Sequence, residues 1–267
     1  LYMRRLADAI RSFIQSQGSM WLSTLVALGA LVIMAGLAED CYASARTRGI
    51  DIDISKQAAF PFVKQTEVKQ QLQRYLPAMP RQYPFSELPL SDFEEMLEQR
   101  AHVASAEVFT GISGHLAVRI RQRKPLVRII NAEQESFYLD EAGERMAFSP
   151  DYDAPLLTAS GAIQADPTDS LSGQAAQQLQ AIQQVSRYIR QDSFLRALTG
   201  QLYVASNQDI QLVPRIGEQT IVLGRAEDLA DRFAKLKAFY RKVLPSEGWY
   251  TYDQINLKYE KQIVAKK

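Results

Sequence analysis

The residue types that most often carry out catalysis are sparse in this 267-residue sequence, and no pattern brings them together. His102 and His115 are its two histidines, and neither belongs to a Gly-x-Ser-x-Gly or a His-x-x-x-His pattern, which would supply an activated nucleophile or paired metal ligands. Both flank short predicted strands, where a surface histidine is the simpler interpretation. Because no nucleophile, base and orienting group can be assigned, we predict no catalytic residue and no enzymatic activity; a hydrolase is the less favoured alternative.

Two acidic clusters and one glycine turn could bind a ligand, but each has a simpler interpretation. "DYD" at 151–153 and "DPTD" at 166–169 carry the oxygen ligands that calcium prefers, yet no Asp-x-Asp-x-Asp-Gly loop follows, so turn formation is favoured. Gly224 precedes a predicted helix start, which can bind phosphate, but Glu227 and Asp228 place carboxylates in the first turn and no Walker lysine is present. We therefore predict no metal, no cofactor and no small-molecule substrate.

The end of the sequence is better suited to binding another protein. In "YDQINLKYEKQIV", residues 252–264, apolar and polar side chains alternate, which predicts a single strand about 43 Å long. Few residues follow it, so a partner could add a strand to its free edge through backbone hydrogen bonds and be selected by side-chain contacts. The predicted partner-binding residues are Tyr252, Gln254, Ile255, Asn256, Leu257, Lys258, Tyr259 and Lys261.

Two side chains in this segment have distinct predicted roles. Tyr259 is the expected hot spot of binding, because a half-buried tyrosine supplies both apolar area and a polar end. Lys261 interrupts the apolar face, as lysines on natural edge strands do to prevent unwanted pairing. In the alternative, the strand is paired on both sides within its own sheet and the partner contacts lie elsewhere.

The overall composition limits the class of protein. Hydrophobic residues make up 46% and charged residues 23% of the chain, and the formal net charge is +1, which indicates a folded chain rather than a disordered or multiply membrane-spanning one. Acidic and basic residues are mixed along the chain, so no basic stripe indicates nucleic-acid binding. Cys41 is the only cysteine, which excludes an internal disulfide.

An apolar segment near the N-terminus predicts a membrane helix. Residues 20–38 contain no charged side chain and would span about 28 Å as a helix, close to the thickness of a bilayer core. Arginines precede this segment and two acidic residues follow it, so the positive-inside rule places residues 1–19 in the cytoplasm and the rest of the chain outside the cytoplasmic membrane. The alternative is a cleaved signal peptide, since "ASA" at 43–45 has the form of a cleavage site.

The exterior part is predicted to contain two domains of α+β class. Residues 49–124 show strand and helix periodicities in the order strand, helix, helix, strand, strand, which makes a three-stranded sheet covered by two helices. After Pro125 the sequence changes to short strands separated by Gly, Asp, Asn and Pro, and two helices interrupt them near 172–191 and 226–244. We predict a mostly β second domain with two helices over residues 125–265.

One membrane span followed by this order of elements is typical of a POTRA domain, and the local sequence resembles the FtsQ/DivIB family of bacterial cell-division proteins. The similar segments are "FPFVKQTEV" at 60–68, "VASAEVFTGISGHLAVRIRQRKPLVRII" at 103–130, "FYLDEAGERMAFS" at 137–149 and "TIVLGRAEDLADRFAKLKAFYRKVLPSEGWYTYDQINLKYEKQIV" at 220–264. Departures from the family pattern include "EVFTGISGHL", which lacks the tryptophan-proline hairpin frequent in proteobacterial members, "QRKP" in place of Glu-Arg-x-Pro, and two positions of the last segment. Asn256 stands where the family often has Asp, and Lys258 stands where it usually has Arg.

The resemblance implies a protein without catalytic activity that crosses the bacterial inner membrane once and is enriched at the division septum. Its POTRA and β domains would lie in the periplasm and bind the coiled-coil division proteins FtsB and FtsL, and through them help regulate septal peptidoglycan synthesis by FtsW and FtsI. In the family, the partner adds a strand to the free edge of the last strand. The alternative from a different class is a POTRA-containing, polypeptide-binding component of outer-membrane protein assembly or secretion.

Overall fold

The computed structural model describes residues 24–36, 48–55, 62–75, 84–111, 114–149, 155–168 and 173–267. Residues 24–36 form a helix, α1, with exposed side chains, and they belong to the predicted membrane span 20–38. Within the described ranges, no helix combines the length and the apolar character needed to cross a membrane. The predicted cytoplasmic residues 1–19, the rest of 20–38, the "ASA" motif and the "DYD" cluster lie outside these ranges.

The first sheet has three strands and is accompanied by two helices. Its elements follow the chain as β1 (Gly49–Ile54), α2 (Gln65–Tyr75), a 3₁₀ turn (Phe85–Glu87), α3 (Leu90–Glu98), β2 (Val103–Thr110) and β3 (His115–Gln122). In the sheet the strands lie in the order β1-β3-β2, so β3 is central. The predicted order of strand, helix, helix, strand, strand is confirmed.

Alternation along the strands explains why this sheet buries one face. Leu116, Val118 and Ile120 of β3 are buried, whereas Arg119 between them is exposed. The Arg119 Nη1 atom lies 3.1 Å from Oε2 of Glu107 on β2, so the polar face of the sheet carries an exposed ion pair. Periodicity of this kind is a local property, which is why the sequence predicts these strands.

The backbone divides into two compact units, and the division passes through this small sheet. Residues 54–64 and 96–106 group with residues 120–267, whereas residues 65–95 and 107–119 group with the N-terminal part of the chain. The predicted domain limits, 49–124 and 125–265, stay a prediction.

The second sheet has nine strands and lies entirely in the second unit. The strands are β4 (Pro125–Ile130), β5 (Ser136–Asp140), β6 (Arg145–Ala147), β7 (Leu157–Gly161), β8 (Thr199–Val204), β9 (Ile210–Pro214), β10 (Thr220–Gly224), β11 (Gln254–Asn256) and β12 (Val264–Lys266). Their order in the sheet is β12-β11-β10-β9-β8-β7-β4-β5-β6, so β12 and β6 are its edges. The neighbours β4 and β7, β7 and β8, and β10 and β11 are parallel, and the other pairs are antiparallel.

Four helices accompany the nine-stranded sheet: α4 (Gly173–Gln191), α5 (Ser193–Leu198), α6 (Leu229–Lys242) and α7 (Leu244–Glu247). Parallel neighbours need long connections, and accordingly α4 and α5 lie between β7 and β8, and α6 and α7 lie between β10 and β11. The sequence predicts α4 and α6 but not α5 and α7, because six and four residues are too few to show a helical period. Asp192 caps α5, since its Oδ1 atom accepts a hydrogen bond from the Leu195 N–H at 3.0 Å.

The strands and helices of the second unit share one apolar core. Alternate strand residues and the inward stripes of α4 and α6 supply its buried side chains, as the two periodicities require. Its members include Ile129, Phe137, Leu139, Leu202, Leu212, Ile221, Leu223, Ile255 and Leu257 of the sheet region and Leu179, Ile182, Val185, Ile189, Phe233, Leu236 and Phe239 of the helices.

The last residues do not form the single long strand that the alternation predicts, and that prediction is wrong. β11 ends after three residues, the chain turns, and β12 returns antiparallel beside it. The turn is stabilised locally, because the Asn256 Oδ1 atom accepts a hydrogen bond from the Lys258 N–H at 3.0 Å. Lys261 has a left-handed φ of 59°, which helps to reverse the chain. Apart from Lys261, apolar and polar residues continue to alternate through the turn, so the alternation by itself does not reveal the turn.

Candidate partner-binding site

β12 forms an open edge of the nine-stranded sheet. Its inner side pairs with β11, where Ala265 lies opposite Ile255, and no described residue pairs with its outer side. β11 is paired on both sides, because Ile255 also lies opposite Ile221 of β10. An edge strand presents unpaired backbone N–H and C=O groups. Another strand could therefore pair with β12 but not with β11, which corrects the predicted free edge along residues 252–264.

The backbone hydrogen bonds of β11 show which way its groups point. The Leu257 N–H donates to the Val222 C=O at 2.9 Å, and the Asp253 C=O accepts from the Thr220 N–H at 2.9 Å. The Leu257 N–H and the Asp253 C=O therefore point towards β10, whereas the Asp253 N–H, at the start of the segment, points towards β12. Because these groups alternate in direction along a strand, the even-numbered residues of β11 bond towards β12.

Ala265 is consequently the β12 residue whose backbone N–H and C=O face outward. Val264 and Lys266 lie opposite the two β11 residues that bond towards β12. In agreement, the Lys266 C=O accepts a hydrogen bond from the Asp253 N–H at 2.8 Å. The open edge therefore offers one outward donor and one outward acceptor at Ala265, between two exposed side chains.

Buried side chains hold this edge in place. Ile255 and Leu257 are fully buried in the core, and Ile263 packs against the same core. The Tyr252 ring contacts the Phe239 ring of α6 edge to face, with 5.5 Å between centroids. Of the predicted partner-binding residues, Ile255 and Leu257 thus support the edge from inside and have no surface for a partner.

Three other predicted residues lie in the turn between β11 and β12. The Lys258 Nζ atom donates to Asp209 Oδ2 at 2.8 Å, which ties this turn to the turn between β8 and β9. Tyr259 is 50% exposed, while its carbonyl accepts a hydrogen bond from the Lys235 Nζ atom at 2.8 Å. Lys261 is exposed. Tyr259 therefore presents its ring on an anchored backbone, and its role as a hot spot stays a prediction.

Gln254 and Asn256 lie within the sheet and are partly buried. Asn256 stands in one row with Val222 of β10 and Val264 of β12, and Val264 is 44% exposed. The residues of the edge itself, Val264 to Lys266, are absent from the predicted partner-binding residues, and only Val264 belongs to the segment 252–264. The one available signal is the polar run "YEKQ" at 259–262, which suits a turn better than a buried strand.

Lysines and acidic residues are mixed near the open edge. Lys258 pairs with Asp209, and Lys267 pairs with Glu247 at 3.4 Å. Lys261 and Lys266 are exposed and have no ion pair among the residues that the structure describes. Asp253 and Glu260 in the same segment are also exposed and without an ion pair within the described ranges, so the lysines alone do not select a charge for a partner.

The histidines and the acidic turn have ordinary structural partners. The His115 Nδ1 atom lies 2.8 Å from Asp51 Oδ2, and the His102 Nε2 atom lies 2.9 Å from the Ala147 carbonyl oxygen. The Asp166 Oδ1 atom accepts a hydrogen bond from the Thr168 N–H at 2.7 Å, which confirms a turn at that position. In the part of the chain that the structure describes, no three His, Cys, Asp or Glu side chains are grouped as metal ligands would be.

Backbone carbonyls at the end of β10 and just after it bind the side chain of Arg232 from α6. The Arg232 Nη1 atom donates to the Leu223 carbonyl at 2.8 Å and to the Arg225 carbonyl at 2.6 Å. Two backbone carbonyl oxygens therefore accept hydrogen bonds from this guanidinium beside Gly224.

These features define a mixed α/β protein in which a small three-stranded domain precedes a larger sheet with an open terminal edge. Residues 45–121 match a model of POTRA-like domains, and residues 124–266 match the family described as FtsQ/DivIB, C-terminal related. The second match covers more than half of the 267 residues, so the chain belongs to the FtsQ/DivIB family. Such domains are those of a cell-division scaffold, and these families are in general non-catalytic. No curated protein matches the sequence.

Proposed function

We propose that this protein is a non-catalytic scaffold of the division septum whose β12 edge accepts a strand from a partner protein. The open edge, with the outward backbone groups of Ala265, is the observation that carries the proposal. The partner is a coiled-coil division protein pair of the FtsB/FtsL type. Through that pair the protein helps to regulate septal peptidoglycan synthesis by FtsW and FtsI.

The membrane topology belongs to the same proposal. Residues 20–38 cross the cytoplasmic membrane once, and the arginines before them keep the N-terminus in the cytoplasm. The POTRA-like domain and the nine-stranded sheet then lie in the periplasm, where a partner's exported segment can reach β12.

Affinity and selectivity come from different groups at this edge. The N–H and C=O of Ala265 supply backbone hydrogen bonds to an added strand, whatever its sequence. The exposed side chains of Val264, Lys266 and Tyr259 supply the contacts that distinguish one strand from another.

Ala265→Pro tests strand addition directly. Proline removes the one outward N–H of β12 and leaves the bonds between β11 and β12 intact, and prolines are tolerated on edge strands for this reason. We expect the full-length variant to lose co-purification with an FtsB/FtsL-type pair. Ala265→Ser retains the N–H and should capture the pair as well as the wild type does.

Two further measurements accompany the binding test: whether the variants fold, and whether they support cell division. Circular dichroism of both variants establishes that they are folded. A folded Ala265→Pro variant that still captures the pair would contradict strand addition at β12. In cells depleted of the protein, we expect filaments that Ala265→Ser rescues and Ala265→Pro does not. Loss of outer-membrane proteins without filamentation would instead support the outer-membrane assembly alternative.

A further inference from the structure

A pocket of about 340 Å³ lies in the second unit, away from the strands β10 to β12. Its walls come from the start of β4, the start of β7, the second half of α4 and the segments that flank β8 and β9. Leu126, Leu156, Leu157 and Ile189 supply apolar side chains to these walls. This volume falls in the range of small-ligand sites, which are typically apolar with a few polar groups that converge.

Two buried hydroxyl groups in this pocket lack hydrogen-bond partners. Ser186 and Thr199 are each 1% exposed, and neither Ser186 Oγ nor Thr199 Oγ1 has a partner among the described residues. Both residues line the pocket. A buried hydroxyl without a partner destabilises the folded state, so a pair of them in one pocket indicates that something else completes their hydrogen bonds.

Three arginines lie around the same pocket. Arg190 pairs with the Glu141 carboxylate. Arg196 donates from Nη1 to the Arg190 carbonyl at 3.3 Å, and Arg215 donates from Nε to the Thr199 carbonyl at 3.3 Å. Neither Arg196 nor Arg215 has a carboxylate partner within the described ranges. Two guanidinium groups therefore keep N–H donors for a ligand, and their planar fork matches a carboxylate.

We propose that this pocket binds a short peptide segment that carries a carboxylate beside an apolar side chain. The carboxylate pairs with Arg196 and Arg215, and the apolar side chain lies against the leucine-rich walls. The peptide backbone offers both donors and acceptors to Ser186 and Thr199. An acyl chain would leave these hydroxyls unpaired, whereas a peptide supplies the carboxylate, the apolar side chain and backbone hydrogen-bonding groups together. The proposal does not depend on strand addition at β12.

The probe for this pocket is N-acetyl-leucine, and N-acetyl-leucinamide is its uncharged counterpart. NMR titration of the full-length protein, with methyl groups of the pocket leucines observed, should show saturable shifts for the acid. We expect the amide to bind at least tenfold more weakly, because it lacks the charge-assisted hydrogen bonds. Raising the salt concentration should weaken binding of the acid and leave binding of the amide nearly unchanged.

Variants locate the binding to these side chains. Arg196→Gln and Arg215→Gln should each weaken binding of the acid about tenfold, because each removes one cationic partner of the carboxylate. Arg241→Gln, on the exposed side of α6, is the matched control and should bind as the wild type does. Thr199→Val should weaken binding and raise the melting temperature of the ligand-free protein, because it removes a buried hydroxyl without a partner.

Three results would overturn the proposal. The first is equal binding of the acid and the amide to the wild type. This measurement uses no variant, so a folding defect cannot explain its result. The second is unchanged binding to folded Arg196→Gln and Arg215→Gln. The third is binding of phosphatidylglycerol vesicles that Arg215→Gln abolishes, with no binding of N-acetyl-leucine, which would assign the pocket to a lipid headgroup.

Discussion

At the β6 edge of the nine-stranded sheet, the Ala147 carbonyl lies 2.9 Å from the His102 Nε2 atom, and the Phe62 ring stacks on that imidazole with 4.9 Å between centroids. At the β12 edge, no described residue covers the outward groups of Ala265. The two strands are equally short, with three residues each. They differ in what lies beside them, and so in whether another strand can pair with them.

At the covered edge, side chains of the same chain pack beside β6 and hydrogen-bond to its backbone. Phe62, Tyr138 and Met146 are buried together beside β6. Burial lowers the pKa of His102, and the nearby Arg100 lowers it further, although the hydrogen bond to the Ala147 carbonyl opposes this shift. The neutral imidazole then donates its Nε2–H to that carbonyl. The open edge has no such cover and is flanked by lysines, which discourage indiscriminate pairing.

Phe62→Ala should have the largest effect on the free energy of unfolding. The ring contacts His102 and also Tyr138, with 5.8 Å between the two ring centroids, so its removal leaves a cavity beside β6. We expect a loss of about 3 kcal/mol in urea unfolding, as for other buried phenylalanines. A loss below about 1 kcal/mol would mean that this cluster does not stabilise the covered edge.

Tyr259→Ala at the open edge should weaken partner binding and leave the free energy of unfolding nearly unchanged. The side chain is half exposed, so we expect stability to change by less than about 0.5 kcal/mol. Binding of the FtsB/FtsL-type pair, measured by calorimetry, should weaken by about 2 kcal/mol, or roughly thirtyfold. Tyr203→Ala, which truncates an exposed tyrosine of β8, is the control and should bind normally. Equal weakening by both substitutions would remove the special role of Tyr259.

His102→Gln should change how stability depends on pH, and it should have a smaller effect on stability at neutral pH. Since burial lowers the folded pKa of His102 below its ordinary value of 6.5, the unfolded chain takes up the proton more readily. The corresponding stability is present above pH 6.5 and is lost as the pH falls towards the folded pKa. Urea unfolding between pH 8 and pH 5.5 should therefore show a steeper loss for the wild type than for His102→Gln. Parallel curves would argue against a buried, neutral imidazole at the covered edge.

Lys266→Val should have the smallest effect on stability, below about 0.5 kcal/mol, because the side chain is exposed. It replaces a charge on β12 with a residue that favours strands, so we expect concentration-dependent self-association in sedimentation experiments. Lys242→Val on α6 exposes a similar apolar side chain away from any edge and should remain as monodisperse as the wild type. Equal behaviour of the two variants would show that Lys266 does not protect the edge.

Elements set by local periodicity can be predicted from the sequence, whereas features set by contacts between distant residues cannot. β2, β3 and α4 have clear local periods of two and 3.6 residues, and the structure forms them where these periods occur. α5 is too short to show a period, and it forms because Asp192 caps it and Leu195 and Leu198 enter the core. The pocket was also beyond prediction, because Ser186, Thr199 and Arg215 come from separate elements that only the fold brings together.

The order of most strands and helices and the family follow from the amino-acid sequence, because each depends on which side chains follow one another along the chain. Which strand forms the edge depends on contacts between distant parts of the chain. The alternation of residues 252–264 is the same for a straight strand and for two short strands joined by a turn. Pairing with β10 on one side and the reversal near Lys261 on the other select the second arrangement. The free edge predicted for the whole segment is therefore confined to β12.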